Sequence, residues 1–391
     1  MKAVLAVFLK ECRESLRDRR VLINALLLGP LMGPLLFVIV LRVTIARQLE
    51  QAERPLAVAV IGAERAPNLI AALRQEGLEA LPPVADAEAA VRAQRLDLAL
   101  RIDASFADDW RAGRPAQVEL IYDSSRRDSG ARVQRLRAML EAYSRRTGAM
   151  RLMVRGLSPT LATALAIAPR DQATPQGRGA LLFAMLPYFL ILSAFIGGMW
   201  LAIDSTAGER ERSSLEPLLV NPVPRARILG GKVLATSTFS LASLGLSLAA
   251  FTVAGRFLRG HEFDISVSLA PAVLLAMLAV MVPLVLLLVV AQVLVTAFAR
   301  SAREAQTHLS LLQLVLVIPS VVLSIAPIKA QLWMYAVPLL GQQLTITQLL
   351  RGESVAADGV MLCATVTALA VLVAFRLAQH YYESERLAVG P

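Results

Sequence analysis

Six stretches of the chain run uncharged for about the length of a bilayer: Val21–Leu41, Gly179–Ile203, Val233–Gly255, the second part of Ile265–Ala299, Ala305–Ile328 and Gly359–Phe375. A hydrocarbon core of roughly 30 Å is crossed by about 20 apolar helical residues, so each is read as a membrane span. The sixth is the shortest and is bounded by Asp358 and Arg376. A further uncharged run, Ala330–Leu350, is broken by Pro338, Gly341 and several Gln and Thr residues. It starts almost where the fifth span ends, and we read it as a re-entrant or interfacial pair of short helices; a seventh span is the alternative. Such backbone is tolerated at membrane depth only when packed inside protein.

Between the first two spans the pattern changes. Leu56–Ile61, Leu96–Ile102 and Val118–Tyr122 read as short strands. Ala66–Glu76, Asp86–Gln94 and Ala104–Arg111 read as helices between them, and Val133, Leu136, Leu140 and Tyr143 mark a helical face after the last strand. Alternating strands and helices imply a small mixed α/β sheet domain over residues 46–178. No glycine-rich phosphate loop follows any of these strands. Asp108 and Asp109 beside Trp110 form an acidic pair on a helix surface, more in keeping with solvation than with catalysis. The domain reads as a binding or gating module.

Composition sharpens the division. The chain of 391 residues is 56% hydrophobic and 18% charged, with a mean hydropathy of +0.58; soluble domains carry about one quarter charged residues. Half of the 40 Lys+Arg and more than half of the 30 Asp+Glu fall within 46–178. Disorder, a coiled coil and a disulfide scaffold are excluded. Cys12 and Cys363, the two cysteines, and His261, His308 and His380, the three histidines, all lie outside that block. A thiolate metal site, a zinc hydrolase or a histidine triad is therefore excluded there.

Charge sets the expected direction of insertion. Lys2, Lys10, Arg13, Arg17, Arg19 and Arg20, then Arg210, Arg212, Arg225, Arg227 and Lys232, then Arg300, Arg303, Arg376 and Arg386 fall on one side. The opposite short segments offer Arg256, Arg259, Lys329 and Arg351. By the positive-inside bias both termini are expected in the cytoplasm and 46–178 outside the bacterial inner membrane. Residues 1–20 are amphipathic, with Val4, Leu5, Phe8, Leu9, Cys12 and Leu16 opposite Lys10, Arg13, Glu14 and Arg17. This suits a helix lying on the cytoplasmic leaflet in contact with membrane lipids; a plain basic flank of span 1 is the alternative. The leader and apolar core exceed a cleaved signal peptide, so 21–45 is expected to stay as span 1. The net charge of +10 is absorbed by these flanks, and without aromatic–basic interleaving no nucleic-acid partner is expected.

The segment between spans 2 and 3, residues 204–232, carries the chemistry. Gly208–Leu219 alternates acids and bases before Leu215, Leu218 and Leu219, a pattern for a short salt-bridged helix with an apolar face. Pro222 and Pro224 end it, and Gly230, Gly231 and Lys232 lead back into the membrane. An ordinary solvated loop would need none of this, and the segment reads as a dock for a cytoplasmic partner. With the order of leader helix, span, large external domain and five further spans, it resembles the permease subunits of type-2 ATP-binding-cassette exporters. The branch named for sodium export is similar in placing its external domain between spans 1 and 2. The resemblance implies that Glu209, Arg210, Glu211, Arg212, Leu215 and Glu216 couple to a separate ATPase subunit. It also implies two such ATPases per transporter, binding ATP and Mg, and a second permease chain as homodimer or heterodimer. This chain holds no phosphate-binding loop of the G-x-x-x-x-G-K-[ST] kind, so neither a cofactor nor catalysis is expected in it.

The cargo is less legible. Thr236, Ser240, Ser243 and Ser247 form one helical stripe in span 3, a face that favours close helix packing over lining a path. Asn24, Gln292, His308 and Gln313 are the other intramembrane polar residues singled out; Asn24, His308 and the serines are the candidates for a substrate path. The interruption Gly29-Pro30…Gly33-Pro34 reads as a hinge. The spans as drawn contain no internal acid, with Asp204 only at the edge, which favours an amphiphilic, lipid-like, peptide or drug-like cargo over sodium. From another class, a membrane-anchored sensor or scaffold would require an effector domain that is not evident. The expected architecture is thus an α-helical polytopic membrane protein of six spans plus a re-entrant segment (330–350 within 179–391), with an extracytoplasmic mixed α/β domain.

Overall fold

The computed structural model describes residues 2–125, 127–163, 165, 168, 170, 172, 183–212, 223–257, 270–325 and 330–383. The chain divides into two compact units, residues 1–43 with 172–391, and residues 44–171. Among its described residues the first holds six helices long and apolar enough to cross a membrane: Arg19–Thr44, Leu186–Glu211, Arg225–Arg256, Pro271–Phe298, Ala302–Ser324 and Ala357–Glu383, here spans 1 to 6. Their shared core joins Phe183, Leu190, Phe195, Phe251, Met281 and Leu288. Preceding them is α1 (Lys2–Arg17), separated from span 1 by Asp18, whose carboxylate accepts the Arg20 N–H.

Two spans change helical form where the sequence asks for it. Span 1 opens with a π-turn at Ile23–Leu28. Pro30 and Pro34 lack the N–H of a regular ladder, and the wider turn lets Gly29 N–H reach the Asn24 carbonyl. Span 2 has its π-turn at Asp204–Gly208 and then continues as α-helix through Glu211. The sequence pattern started a loop at Asp204; the structure extends the helix by two turns and begins span 3 at Arg225, ahead of Lys232. Polar residues there did not end the helix because, as shown below, their side chains find partners inside the protein.

The interrupted run 330–350 forms a 3-10 turn, Leu332–Ala336, and a helix of 12 residues, Leu340–Arg351. At 1.5 Å per residue that helix is about 18 Å long and too short to cross. Most of its glutamine groups find partners within the protein. Gln342 accepts from Leu339 N–H at 2.7 Å and donates to Thr367 at 2.8 Å, and Gln343 donates to the Ser320 carbonyl at 2.8 Å.

The second unit is a four-stranded sheet in the order β2-β1-β3-β4, with β1 (Leu56–Ile61), β2 (Leu78–Leu81), β3 (Leu98–Ile102) and β4 (Val118–Tyr122). β1 is parallel to β2 and β3, and β4 runs antiparallel to β3. Val58, Val60, Leu98, Leu100 and Ile102 pack on one face against α2 (Pro67–Gln75) and the long α5 (Arg127–Val154). Ala59 and Ala99 face the other way, onto Ala87 of α3 (Ala87–Arg92). The three predicted strands are present, and β2 is the addition. Its four residues, with Glu79 and two prolines following, carry too little alternation to announce a strand. Phe106, Trp110 (both in α4, Phe106–Arg111) and Tyr143 stack in series, and Arg151 lies 4.4 Å over the Trp110 ring. Asp109 is held by Arg114 and Ser105, so that acid is engaged in local structure.

Candidate functional site

The helical extension beyond Ile203 exists because its charges are wired to the surrounding helices. Glu209 is 4% exposed and Lys232 fully buried. The Lys232 ammonium donates to Glu209 Oε2 at 2.6 Å, to Glu11 Oε1 at 3.2 Å and to the Ser205 carbonyl. Lys10 donates to the other oxygen of Glu209 and lies 3.3 Å from both Glu11 and Glu14. Two ammonium groups and two buried carboxylates thus join α1, span 2 and span 3. A short, flexible ammonium with three donors suits this convergence better than a planar guanidinium.

Close backbone approach makes the cluster possible. A Cβ on Gly231 would lie 2.6 Å from Val7 Cβ and 3.0 Å from the Val4 carbonyl. The stripe of α1 that turns inward is Val7, Glu11 and Ser15, while Leu5, Leu9 and Leu16 stay exposed. The sequence pattern laid the apolar face of this helix on the cytoplasmic leaflet and gave Glu11 no partner within the protein. The structure instead divides it between a polar stripe held by span 3 and an apolar flank. We expect Gly231→Val to displace α1 and speed maleimide labelling of Cys12 several-fold. Burial and the neighbouring Glu11 charge now hold the Cys12 thiol above its ordinary pKa. Unaltered labelling kinetics would mean that Gly231 does not seat α1.

The next residues reach other helices. Arg210 Nη1 donates to the Ala299 carbonyl at 2.8 Å, at the end of span 4. Glu211 Oε2 accepts from Ala302 N–H at 2.9 Å, at the first residue of span 5. A cation on terminal carbonyls and an anion on a leading N–H both match the helix dipoles and satisfy groups that helix ends leave unpaired. Arg212 donates to Asp204 at 2.7 Å, which raises the guanidinium pKa. Arg225 donates to the Tyr382 carbonyl at 3.0 Å, tying the start of span 3 to the end of span 6. One short segment therefore contacts α1 and spans 3, 4 and 5 directly.

Electrostatically the cluster is balanced. Burial alone would pull the Lys10 pKa down, yet the hydrogen bond to Glu209 and the charges of Glu11, Glu209 and Glu14 outweigh it, and the net shift is upward. Burial raises the Glu11 pKa, Lys232 opposes that shift and Glu209 adds to it. Carboxylate oxygens of Glu11, Glu14 and Glu209 lie within 4.8 Å of one another. The Lys10 and Lys232 ammonium groups sit among them and supply the positive charge a metal would bring.

The residues expected to dock a partner are thus divided. Glu209, which the sequence pattern put on the offered face, is buried in the cluster because Lys232 and Lys10 lie beside it. Arg210 is turned onto span 4. Glu211 and Arg212 are exposed at the rim, and Leu215 and Glu216 lie outside the described residues. Of the path candidates, Ser240 and Ser243 are fully buried and Ser247 is 1% exposed. Ser243 pairs with Ser193 at 3.0 Å and Ser240 donates to the Ala194 carbonyl, so both are committed to the packing of span 3 on span 2. Gln292 joins the same seam through the Phe195 carbonyl at 2.7 Å. Asn24 sits half-buried in the span 1 π-turn and His308 half-buried in span 5, and neither belongs to that seam. Gln313 lies with Tyr188, Ile191, Phe195, Leu316 and Ser320 along a narrow crevice between spans 2 and 5, with room for about one water molecule.

Sequence reasoning missed Lys10, Glu11, Ser205 and Lys232 as one site. A usable signal existed. The chain has four lysines among its 40 Lys+Arg, and two of them meet here.

Two comparisons bear on this arrangement. A family model described as ABC-2 family transporter protein matches residues 25–376. The ABC transporter permease protein NatB of Bacillus subtilis (strain 168) is 26% identical over 373 residues, covering 94% of each chain. Six spans and a match running from the first span into the last make the conclusion plain: the chain belongs to the ABC-2 family of transporter proteins, as a membrane-spanning permease.

Proposed function

We propose that the chain is the permease subunit of an ATP-driven exporter, with the segment 204–232 in the cytoplasm as the coupling element, through Glu209, Arg210, Glu211, Arg212, Leu215 and Glu216. The carrying observation is the wiring of Glu209, Arg210 and Glu211 to α1 and spans 3, 4 and 5. A force applied at Glu209–Glu211 is shared among several helices through these contacts. Two copies of a cytoplasmic ATPase subunit supply the force by binding ATP and Mg, and a second permease chain completes the pathway. Both termini lie in the cytoplasm of a bacterial inner membrane, and residues 46–178 lie outside it, as the loop charges favour.

The cargo we infer is amphiphilic: a lipid-like, peptide or drug-like molecule. The uncharged middles of the spans support this class, since they offer no carboxylate at membrane depth to replace a cation's hydration shell. The buried carboxylates of Glu11 and Glu209 are already paired with Lys10 and Lys232, which argues against the sodium reading.

The test is co-purification with the cognate ATPase. Leu215→Asp and Glu216→Lys are expected to leave the permease in the membrane while reducing ATPase recovery at least several-fold. Recovery equal to the unsubstituted chain would count against the coupling role. ATP-dependent sodium accumulation in vesicles would overturn the cargo class.

A further inference from the structure

We propose that the C-terminal end of α5 and the turn after it form an interfacial foot that lies on anionic lipid headgroups. Seven large apolar side chains are exposed among the described residues of 44–171, and six fall within sixteen consecutive positions: Met150, Met153, Val154, Leu157, Leu161 and Leu165. The seventh is Tyr122, at 40%. Val154 is 89% exposed and Leu165 78%. Elsewhere the domain keeps its leucines, valines and isoleucines in its core. Met150, Met153 and Val154 share the last turns of the helix, and Leu157, Leu161 and Leu165 follow in the segment that leaves it, so the six are clustered in sequence rather than scattered. A clustered apolar surface on an otherwise polar domain marks a contact.

The charges around the stripe identify the occupant. From Ala142 to Arg170 there is no acidic residue, while Arg145, Arg146, Arg151, Arg155 and Arg170 are all present. Arg151 is engaged over Trp110 and with its carbonyl, leaving Arg145, Arg146 and Arg155 exposed. Arg145 also pairs with Glu141 at 3.7 Å, but the strip itself carries arginines and no acid, which suits an anionic bilayer surface where the apolar groups enter the headgroup boundary and the cations meet phosphates. A second copy of the same surface would set arginine against arginine.

The test uses the full-length protein in vesicles, with Cys12→Ser and the buried Cys363 left in place. An environment-sensitive fluorophore is attached at Leu161→Cys and, for comparison, at Glu64→Cys. With nitroxide lipid in phosphatidylcholine–phosphatidylglycerol vesicles, quenching at 161 is expected to exceed that at 64 by about threefold or more, as for an inserted interfacial residue. Arg145→Glu with Arg146→Glu and Arg155→Glu, or vesicles of phosphatidylcholine alone, are expected to remove most of the difference. Equal quenching at both sites with free access to aqueous iodide would overturn the proposal in favour of a solvated surface. Shielding from both lipid and iodide would overturn it in favour of a protein partner. Quenching indifferent to lipid charge and to the arginine changes would remove the anionic headgroups from it.

Discussion

Replacement of Lys232 by methionine is expected to destabilise the protein by about 3–5 kcal/mol, the usual consequence of stranding a buried countercharge. Lys232 is fully buried, and the side chains of Glu11 and Glu209 are 3% and 6% exposed. Without the ammonium, two carboxylates face each other with only Lys10, at the edge of the cluster, to offset them. The Ser205 carbonyl would also lose its donor. Thermal unfolding of the full-length chain in detergent, followed by size-exclusion fluorescence, should show a large fall in midpoint. Adding Glu11→Gln and Glu209→Gln to the same chain should restore much of it, since neutral amides carry no stranded charge. Lys232→Arg should fall between, because a planar fork does not fit three acceptors arranged around one nitrogen. A midpoint unmoved by Lys232→Met would mean that the cluster does not hold the helices together.

The cluster also changes how the charged segment between spans 2 and 3 is understood. Alternating acids and bases suggest a solvated helix with pairs along its own surface. Here the alternation instead distributes successive side chains to different neighbours: Glu209 to α1 and span 3, Arg210 to span 4 and Glu211 to span 5. Successive residues on a helix point about 100° apart, so three in a row can reach three directions. The π-turn at Asp204–Gly208 shifts this set relative to the rest of span 2. Widened turns of this kind are frequent where a helix serves function.

Legibility followed the physics of each feature. The six spans were readable because uncharged runs of that length have few other uses. The strands β1, β3 and β4 were readable from their apolar runs between turn residues, whereas β2 takes its place mainly from pairing with β1 across Leu56–Leu78 to Ala59–Leu81. The end of span 2 was misjudged because a one-residue view treats Asp204, Glu209 and Arg210 as water-seeking. Asp204 is answered by Arg212 of the same segment, and the partners of Glu209 and Arg210 come from α1 and spans 3 and 4, up to 199 residues away in the case of Lys10 and Glu209. No local pattern announces such a pairing. The serine stripe of span 3 was legible as a packing face, but its partner carbonyls at Ser193 and Ala194 were not.

That packing face yields the second large effect. Gly197→Ala is expected to destabilise the bundle by about 1–3 kcal/mol, the range for overpacking a filled core. The added Cβ would lie 2.4 Å from Ser243 Cβ and 3.2 Å from the Phe239 carbonyl, where non-bonded carbons settle at about 3.5–4.0 Å. Spans 2 and 3 would have to part by more than an ångström-scale adjustment of one side chain, because the obstruction is a Cβ and not a flexible tip. The Ser193–Ser243 and Ser240–Ala194 hydrogen bonds would stretch with them. Ser243→Gly alone removes the obstructing atom and one hydroxyl, costing about 1 kcal/mol for the lost hydrogen bond and about as much again for helix propensity. In the double variant the new methyl occupies the space left by the serine, so Gly197→Ala should cost much less there than in the unaltered chain. Gly245→Ala, also in span 3 but with nothing within 4 Å of its added Cβ, serves as the control and should be neutral or slightly stabilising. If Gly197→Ala is no less harmful beside Ser243→Gly, contact between these two positions is not what sets the distance between the spans.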